Sequence, residues 1–402
     1  MTPLVDMKEH RSILSPPKKI EFYDLSLRDG LEYPGVFLTT EQKLKVVRTL
    51  DDLGVDRIEA GMPMRSPEEA GFVRDAVKAG TKAKIFALCR TREEDIDLAV
   101  KCGVSNILVE APSSDQLITV AFRSTRERIL DESVKAVRFA KSQGLFTSFF
   151  LMDATRADLP FLTGMVKKVV DETGVDEVII VDSIGSCYPE GMAFLVGKVR
   201  EVGVPVGVHC HNDLGLATAN TLSAVGAGAQ IVHVSLNGIA ARSGFTPIDE
   251  IALCLKLFIG VDSGIRFNNI YRASKLFSEL TEVPIPPMKP VIGENATVFE
   301  IGAALMTNDE FLKAGVSTGF FPYSPSLVGR TFGIRLGTKS NNYSVERALK
   351  SLGIKTTEEN TQLILERVIK TAKDKRRLVS ETELKEIIAD VLQHSAGANC
   401  PC

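Results

Sequence analysis

An eightfold alternation of short apolar, β-branched runs with longer amphipathic ones sets the narrowest limit on the fold of this chain. Candidate strands are Ile20–Leu27, Asp56–Met62, Ala83–Arg90, Asn106–Ala111, Thr147–Met152, Glu177–Asp182, Pro205–His211 and Ile231–Asn237. Helical patterns lie between and after them: Glu41–Leu53, Pro67–Ala79, Glu93–Cys102, Arg126–Gln143, Leu159–Thr173, Pro189–Val202, Leu216–Ala227 and Pro247–Ile259. Strands this apolar are buried on both faces. Parallel pairing needs a long crossover between strands, and each helix supplies one. Eight such units over about 240 residues predict an α/β fold of the closed (β/α)8 TIM-barrel type. A doubly wound open sheet is the structural alternative, but no G-x-G-x-x-G follows the first strand.

The pattern changes after Gly264. A helix near Asn269–Leu280 leads into Pro284-Ile285-Pro286-Pro287, then an irregular stretch, then helices around Ser344–Leu352, Glu358–Lys373 and Glu381–Leu392. The expected organisation is an N-terminal extension over 1–19, a barrel over 20–264, a linker subdomain over 265–340, and a small helical C-terminal domain with its tail over 341–402.

Composition excludes several classes. The net charge of -3, with both signs mixed along 402 residues, offers no basic stripe for nucleic acid and no polybasic membrane patch. No segment is apolar for the length of a membrane span, and the first nineteen residues lack a signal-peptide core. Seven cysteines without regular spacing point to reduced thiols and a cytoplasmic setting. The Cys400-Pro401-Cys402 tail reads as a frayed terminus, with metal binding or a redox pair as the alternative.

In such a barrel, function gathers where strands run out into loops. The first strand ends in Leu27-Arg28-Asp29-Gly30, the seventh in His209-Cys210-His211-Asn212-Asp213, and the eighth in Asn237-Gly238. Residues two apart on a strand share a face, so His209 and His211 can converge on one point. Asp29, from the strand that closes the barrel against the eighth, completes a set of two imidazoles and a carboxylate with open positions. Asn237 can add a carbonyl oxygen. Such nitrogen and oxygen ligands suit a divalent Zn, Mn, Mg or Co ion. A lone histidine is usually packing, and His233 reads that way; His10 and His394 lie in tails. Arg28 beside Asp29 puts a guanidinium next to the ion, where the two together can hold a 2-oxo acid and polarise its carbonyl. Ser183 can donate to the substrate carboxylate or merely cap the next turn. Asp153 and Arg156 either orient site groups or form a surface pair.

These motifs resemble the isopropylmalate synthase and homocitrate synthase family of metal-dependent acyl-CoA condensing barrels, relatives of hydroxymethylglutaryl-CoA lyase. The likeness spans about residues 20–355 and includes Glu59-Ala60-Gly61-Met62-Pro63, Asp182-Ser183-Ile184-Gly185, Gly293-Glu294-Asn295-Ala296 and Leu327-Val328-Gly329-Arg330. It implies Asp29, His209, His211 and Asn237 as metal ligands, Arg28 on the 2-oxo group, and Ser183 on the substrate carboxylate. It also implies acetyl-CoA, or a close acyl-CoA, as co-substrate, a small-molecule 2-oxo acid as its partner in the reaction, and a homodimer that exchanges the linker subdomain. Only short helices follow Lys355, so feedback of the leucine type is not expected.

The chain departs from that pattern at several places. Phe299-Glu300-Ile301-Gly302-Ala303-Ala304 stands where the synthases carry a His-Glu-Ser-Gly-Ile-His run, Phe320 replaces a tyrosine, and Met152 replaces the usual barrel Glu. Ala240-Ala241-Arg242 stands for Gly-Glu-Arg. Glu300 remains as the acid/base candidate, with Tyr323 behind it. Ser148 occupies a place where homocitrate synthases carry an arginine, which argues against 2-oxoglutarate. The lyase branch offers a second reading, but Ser243-Gly244-Phe245 lacks its Asn, and no cysteine lies between Cys210 and Cys254. A non-catalytic barrel that binds a 2-oxo acid is the third.

Overall fold

The computed structural model describes residues 15–261 and 263–398. His10 and the Cys400–Cys402 tail lie outside them. Eight parallel strands close into a barrel: β1 Glu21–Asp24, β2 Arg57–Gly61, β3 Lys84–Arg90, β4 Asn106–Pro112, β5 Phe146–Met152, β6 Glu177–Asp182, β7 Val206–Cys210 and β8 Ile231–Val234. The seam is made by β1 on β8, with Glu21 opposite Ile231 and Asp24 opposite Val234. Helices return between the strands: α1 Thr40–Leu53, α2 Pro67–Lys78, α3 Glu93–Lys101, α4 Arg126–Ser142, α5 Leu159–Thr173, α6 Pro189–Arg200 and α7 Ala217–Gly226, with α8 Ile248–Cys254 following β8. Their starts are encoded locally. Thr39 and Gln42 form a reciprocal capping box on α1, and the side chains of Ser66, Thr125 and Asp158 accept N–H groups at the starts of α2, α4 and α5.

Inside the barrel the strands' alternate residues stack in layers. Tyr23, Phe86, Leu88, Leu108, Phe150, Ile179, Val181 and Ile231 form the apolar filling. Toward the N-terminal ends of the strands Arg57 bonds Glu177 at 2.5 Å and Glu21 at 2.6 Å. Ser148 gives its hydroxyl to the same Glu177 at 2.5 Å.

Two expected boundaries move. The described chain divides into two compact units at Ile285/Pro286, not at Gly264. The reason is α9, Ile270–Thr281, which packs on α1 and on the turn after β8 and so belongs to the barrel unit. In the second unit the expected linker and helical domain share one body. Leu336 joins Val345, Leu349, Ile364, Val368, Ile388 and Val391 in a single core. Gly302–Lys313, expected to be irregular, is helix α10, beside a short parallel pair of β9 Val298–Phe299 with β10 Gly333–Ile334. Helices α11 Asn342–Ser351, α12 Glu358–Lys375 and α13 Glu381–Ala398 complete it. Among the described residues no helix is long and apolar enough to cross a membrane.

Candidate metal centre and active site

Three buried side chains meet where β1 and β7 end. His209 Nε2 and His211 Nε2 lie 3.3 Å apart, and Asp29 Oδ2 lies 3.5 Å from the first and 3.8 Å from the second. Metal–ligand bonds of about 2.0–2.2 Å put neighbouring ligand atoms roughly 3.0–3.5 Å apart, so this triangle fits one divalent ion. Two further observations support the fit. Asp29 Oδ1 and His211 Nδ1 are buried with no partner among the described residues. Burial, followed by the charges of its neighbours, holds His209 well below the usual imidazole range, so it is neutral, as a ligand must be.

Local folding places each ligand. After β1 the chain tightens into a turn in which the N–H groups of Arg28 and Gly30 both donate to Leu25 O, aiming Asp29 into the mouth. Gly30 sits in a tight space there: a Cβ would meet Ile239 O at 3.3 Å and push it back by a few tenths of an ångström. His209 and His211 project to one side of β7 as their spacing predicts. His211 is held just beyond the strand by a bridge to Phe245 and by its own N–H to Asp182 O at 3.3 Å.

Arg28 is 7% exposed. It donates Nε to Glu59 Oε1 at 2.5 Å and Nη1 to Asp29 Oδ2 at 3.0 Å. Its Nη2 is buried with no partner among the described residues, a donor left for a ligand. Glu59 is fully buried, and burial raises its carboxyl against the pull of Arg28. Ser183 accepts the Asp153 N–H at 2.8 Å on Oγ, which leaves its own hydrogen to donate. Arg242 fixes its carbonyl at 2.7 Å while paired to Asp213. Asp153 and Arg156 pair at 2.7 Å, and Asp153 also binds Ser114, so they form a partly buried brace.

Two expected site residues make contacts that the sequence did not show. Asn237 was expected on the eighth strand, but β8 ends at Val234. Asn237 sits in a short 3-10 turn with φ 59°, and its amide nitrogen donates to Ser274 O of α9 at 3.0 Å, while its Oδ1, the oxygen expected to reach the ion, is buried with no partner among the described residues. Phe245 also packs against the imidazoles, with its ring 4.2 Å from that of His209 and 5.4 Å from that of His211. Glu300 lies in the second unit, where its Oε1 accepts the Lys339 N–H at 2.9 Å and braces the turn before α11.

Three residues escaped the sequence reading. His233, read as packing, puts Nδ1 3.2 Å from Nδ1 of His209, directly behind a ligand. Glu59 stood in a quoted motif without a role. Glu110, on β4, lines a cavity of about 630 Å³ together with Arg90, Arg92, Pro112, Phe122 and Met152. Only its place on an inward strand face could have signalled it.

The fold is a closed (β/α)8 barrel with a carboxylate and two imidazoles gathered at the C-terminal ends of its strands in an arrangement that could hold a metal ion. Within that class the HMGL-like family description matches residues 19–277, and the chain belongs to this family. It is 36% identical to a homocitrate synthase of Methanopyrus kandleri over 96% of both chains. It is also 36% identical to an (R)-citramalate synthase of Methanocaldococcus jannaschii, over 92% of this chain and 74% of the relative. A 2-isopropylmalate synthase of the same organism is 35% identical over 94% of this chain and 73% of its own length. The hydroxymethylglutaryl-CoA lyase of Bacillus subtilis shares the fold with a TM-score of 0.60 at 19% identity, over 68% of this chain and 97% of that one.

Proposed function

We propose that the protein condenses acetyl-CoA, or a close acyl-CoA, with a 2-oxo acid and hydrolyses the thioester, giving a 2-hydroxy di- or tricarboxylic acid. The observation that carries this reading is the buried Asp29–His209–His211 triangle with the unpartnered Nη2 of Arg28 beside it. The synthase names of the relatives support it. A divalent ion held by the triangle would polarise the 2-oxo oxygen. Arg28 donates Nη2 to that oxygen as negative charge develops on it, and Glu59 keeps the guanidinium in plane. Ser183 donates to the substrate carboxylate, held in place by the Asp153 N–H and by Arg242. Phe150, whose ring is 5.1 Å from that of His209, and Phe245 keep water from the imidazoles' flanks. A homodimer belongs to the same reading and is checked by light scattering.

The test of the reaction is product identity. Acetyl-CoA supplied with pyruvate, oxaloacetate, 2-oxoglutarate or 2-oxoisovalerate in turn should give, with one of them, a new mass equal to the acid plus an acetyl unit and water's oxygen and hydrogen after CoA loss. The absence of any such product removes the proposal.

A further inference from the structure

Condensation needs a group that takes a proton from the acyl carbon, and neither Asp29 nor Glu59 is free to do so. Asp29 faces the imidazoles and Arg28, and Glu59 is bound to Arg28. Asp153 is held by Arg156, Asp182 by Thr155 and the N–H groups of Ser186 and Cys187, and Asp213 by Arg242. Glu110 differs from all of these. It lies near the C-terminal end of β4, two residues beyond Leu108, and so shares that residue's inward face. It pairs in register with Arg90 on β3 and Phe150 on β5. Its carboxylate lines the cavity of about 630 Å³ and makes no hydrogen bond to the described residues. Met152, the neighbouring wall of that cavity on β5, carries no proton acceptor.

We propose that Glu110 is the base that removes the acyl α-proton. The C–H bond breaks, its proton goes to a Glu110 oxygen, and the electron pair left on carbon forms the enolate. That carbon then bonds to C2 of the 2-oxo acid, the carbonyl π pair moves onto oxygen, and Arg28 Nη2 receives the developing charge. The Glu110 acid returns its proton to that alkoxide, so the carboxylate is restored at the end of the step. The environment suits the task. Burial pushes the carboxyl up to about 7, with Arg28 pulling it down and Glu59 pushing it up, and a base works best when its pKa lies near the working pH.

This inference rests on the condensation reading, and one series separates the two. The pH dependence of kcat/KM is measured for the wild-type holoenzyme, Glu110→Gln and Glu110→Asp, each checked for metal content and melting temperature. Wild-type activity should rise with pH through a midpoint near 7. Glu110→Gln, which keeps the shape of the side chain, should lose about a hundredfold or more and lose that rise. Glu110→Asp should keep the rise with rates lowered about tenfold or more, because the carboxylate is drawn back from the acyl carbon. A Gln variant within a few-fold of wild type, or one that keeps the rise, overturns the role of Glu110 while leaving condensation intact. If Gln does not fold, wild-type rates in the Asp variant overturn it instead. A wild-type protein inactive with every 2-oxo acid removes the condensation reading, and the role of Glu110 with it.

Discussion

Arg28 donates Nε to Glu59 Oε1 at 2.5 Å, joining a guanidinium at the mouth of the barrel to a carboxylate on β2 with no solvent exposure. The pair leaves one face of the guanidinium committed to protein and Nη2 turned free. If Arg28 acts on charge that develops in the transition state, Arg28→Lys should keep fold and metal and lose about a hundredfold or more in turnover, since a point charge cannot reproduce the planar fork. Steady-state kinetics beside elemental analysis and a melting curve check this. Near-normal turnover in a folded, metal-loaded variant would remove Arg28 from the mechanism.

Glu59→Gln removes the buried counter-charge of Arg28 while keeping the side-chain shape. Breaking one partner of a buried pair costs about 3–5 kcal/mol when the remaining charge is left alone. Asp29 still accepts from Nη1 of Arg28 at 3.0 Å, so that range is an upper limit and a smaller loss is expected here. Denaturant unfolding should show that loss. Wild-type stability would mean that the pair is not formed in solution.

The metal ligands and the residue behind them should separate cleanly. His209→Ala and His211→Ala should strip the ion. His233→Ala should retain it with about 10–100-fold weaker binding, because losing the partner that orients a ligating imidazole costs less than losing the ligand. Metal content and a binding titration distinguish the three. Equal metal in all of them would refute the assignment.

Asp24 gives a pH signature independent of catalysis. It is fully buried, accepts the Ser26 N–H at 2.8 Å, and is raised by burial to about 7. Unfolded, its carboxyl titrates near the ordinary value of about 3.9. Between these two values the native state binds the extra proton, so this group's stabilising contribution falls as pH rises from about 4 to about 7 and is level above that. A window of about three pH units at about 1.4 kcal/mol each sets an upper limit near 4 kcal/mol. Asp24→Asn should therefore gain stability relative to wild type as pH rises across that window. A melting-temperature difference that does not change with pH would contradict it.

The barrel was legible because its signal is repeated. Eight apolar runs such as Asn106–Ala111 and Glu177–Asp182, each followed by an amphipathic helix, leave little room for another topology, and the H-x-H spacing at His209 and His211 carries its own geometry. Strand ends were harder to read. Leu27 and Asn237 look like strand continuations, yet the chain turns at Leu25 and after Val234, and once the pleat ends the two-residue alternation no longer says where Asn237 points. Groups defined by distant neighbours were hardest. His233 is apolar-flanked like any core histidine, Glu110 looks like an isolated charge in an apolar strand, and Phe245 looks like an ordinary loop aromatic. Their roles depend on His209, on the cavity and on the imidazoles, which sequence spacing does not connect to them.

The central claim is that the Asp29–His209–His211 site runs acyl-CoA chemistry on a 2-oxo acid, and the release of free CoA thiol tests it most directly. Metal-loaded protein with acetyl-CoA should release thiol only when one particular 2-oxo acid is present. Release should stop on chelation and return when the divalent ion is restored, while His211→Ala should show none under any of these conditions. Silence with pyruvate, oxaloacetate, 2-oxoglutarate and 2-oxoisovalerate alike, or thiol release that persists in the chelated protein and in His211→Ala, would contradict the account.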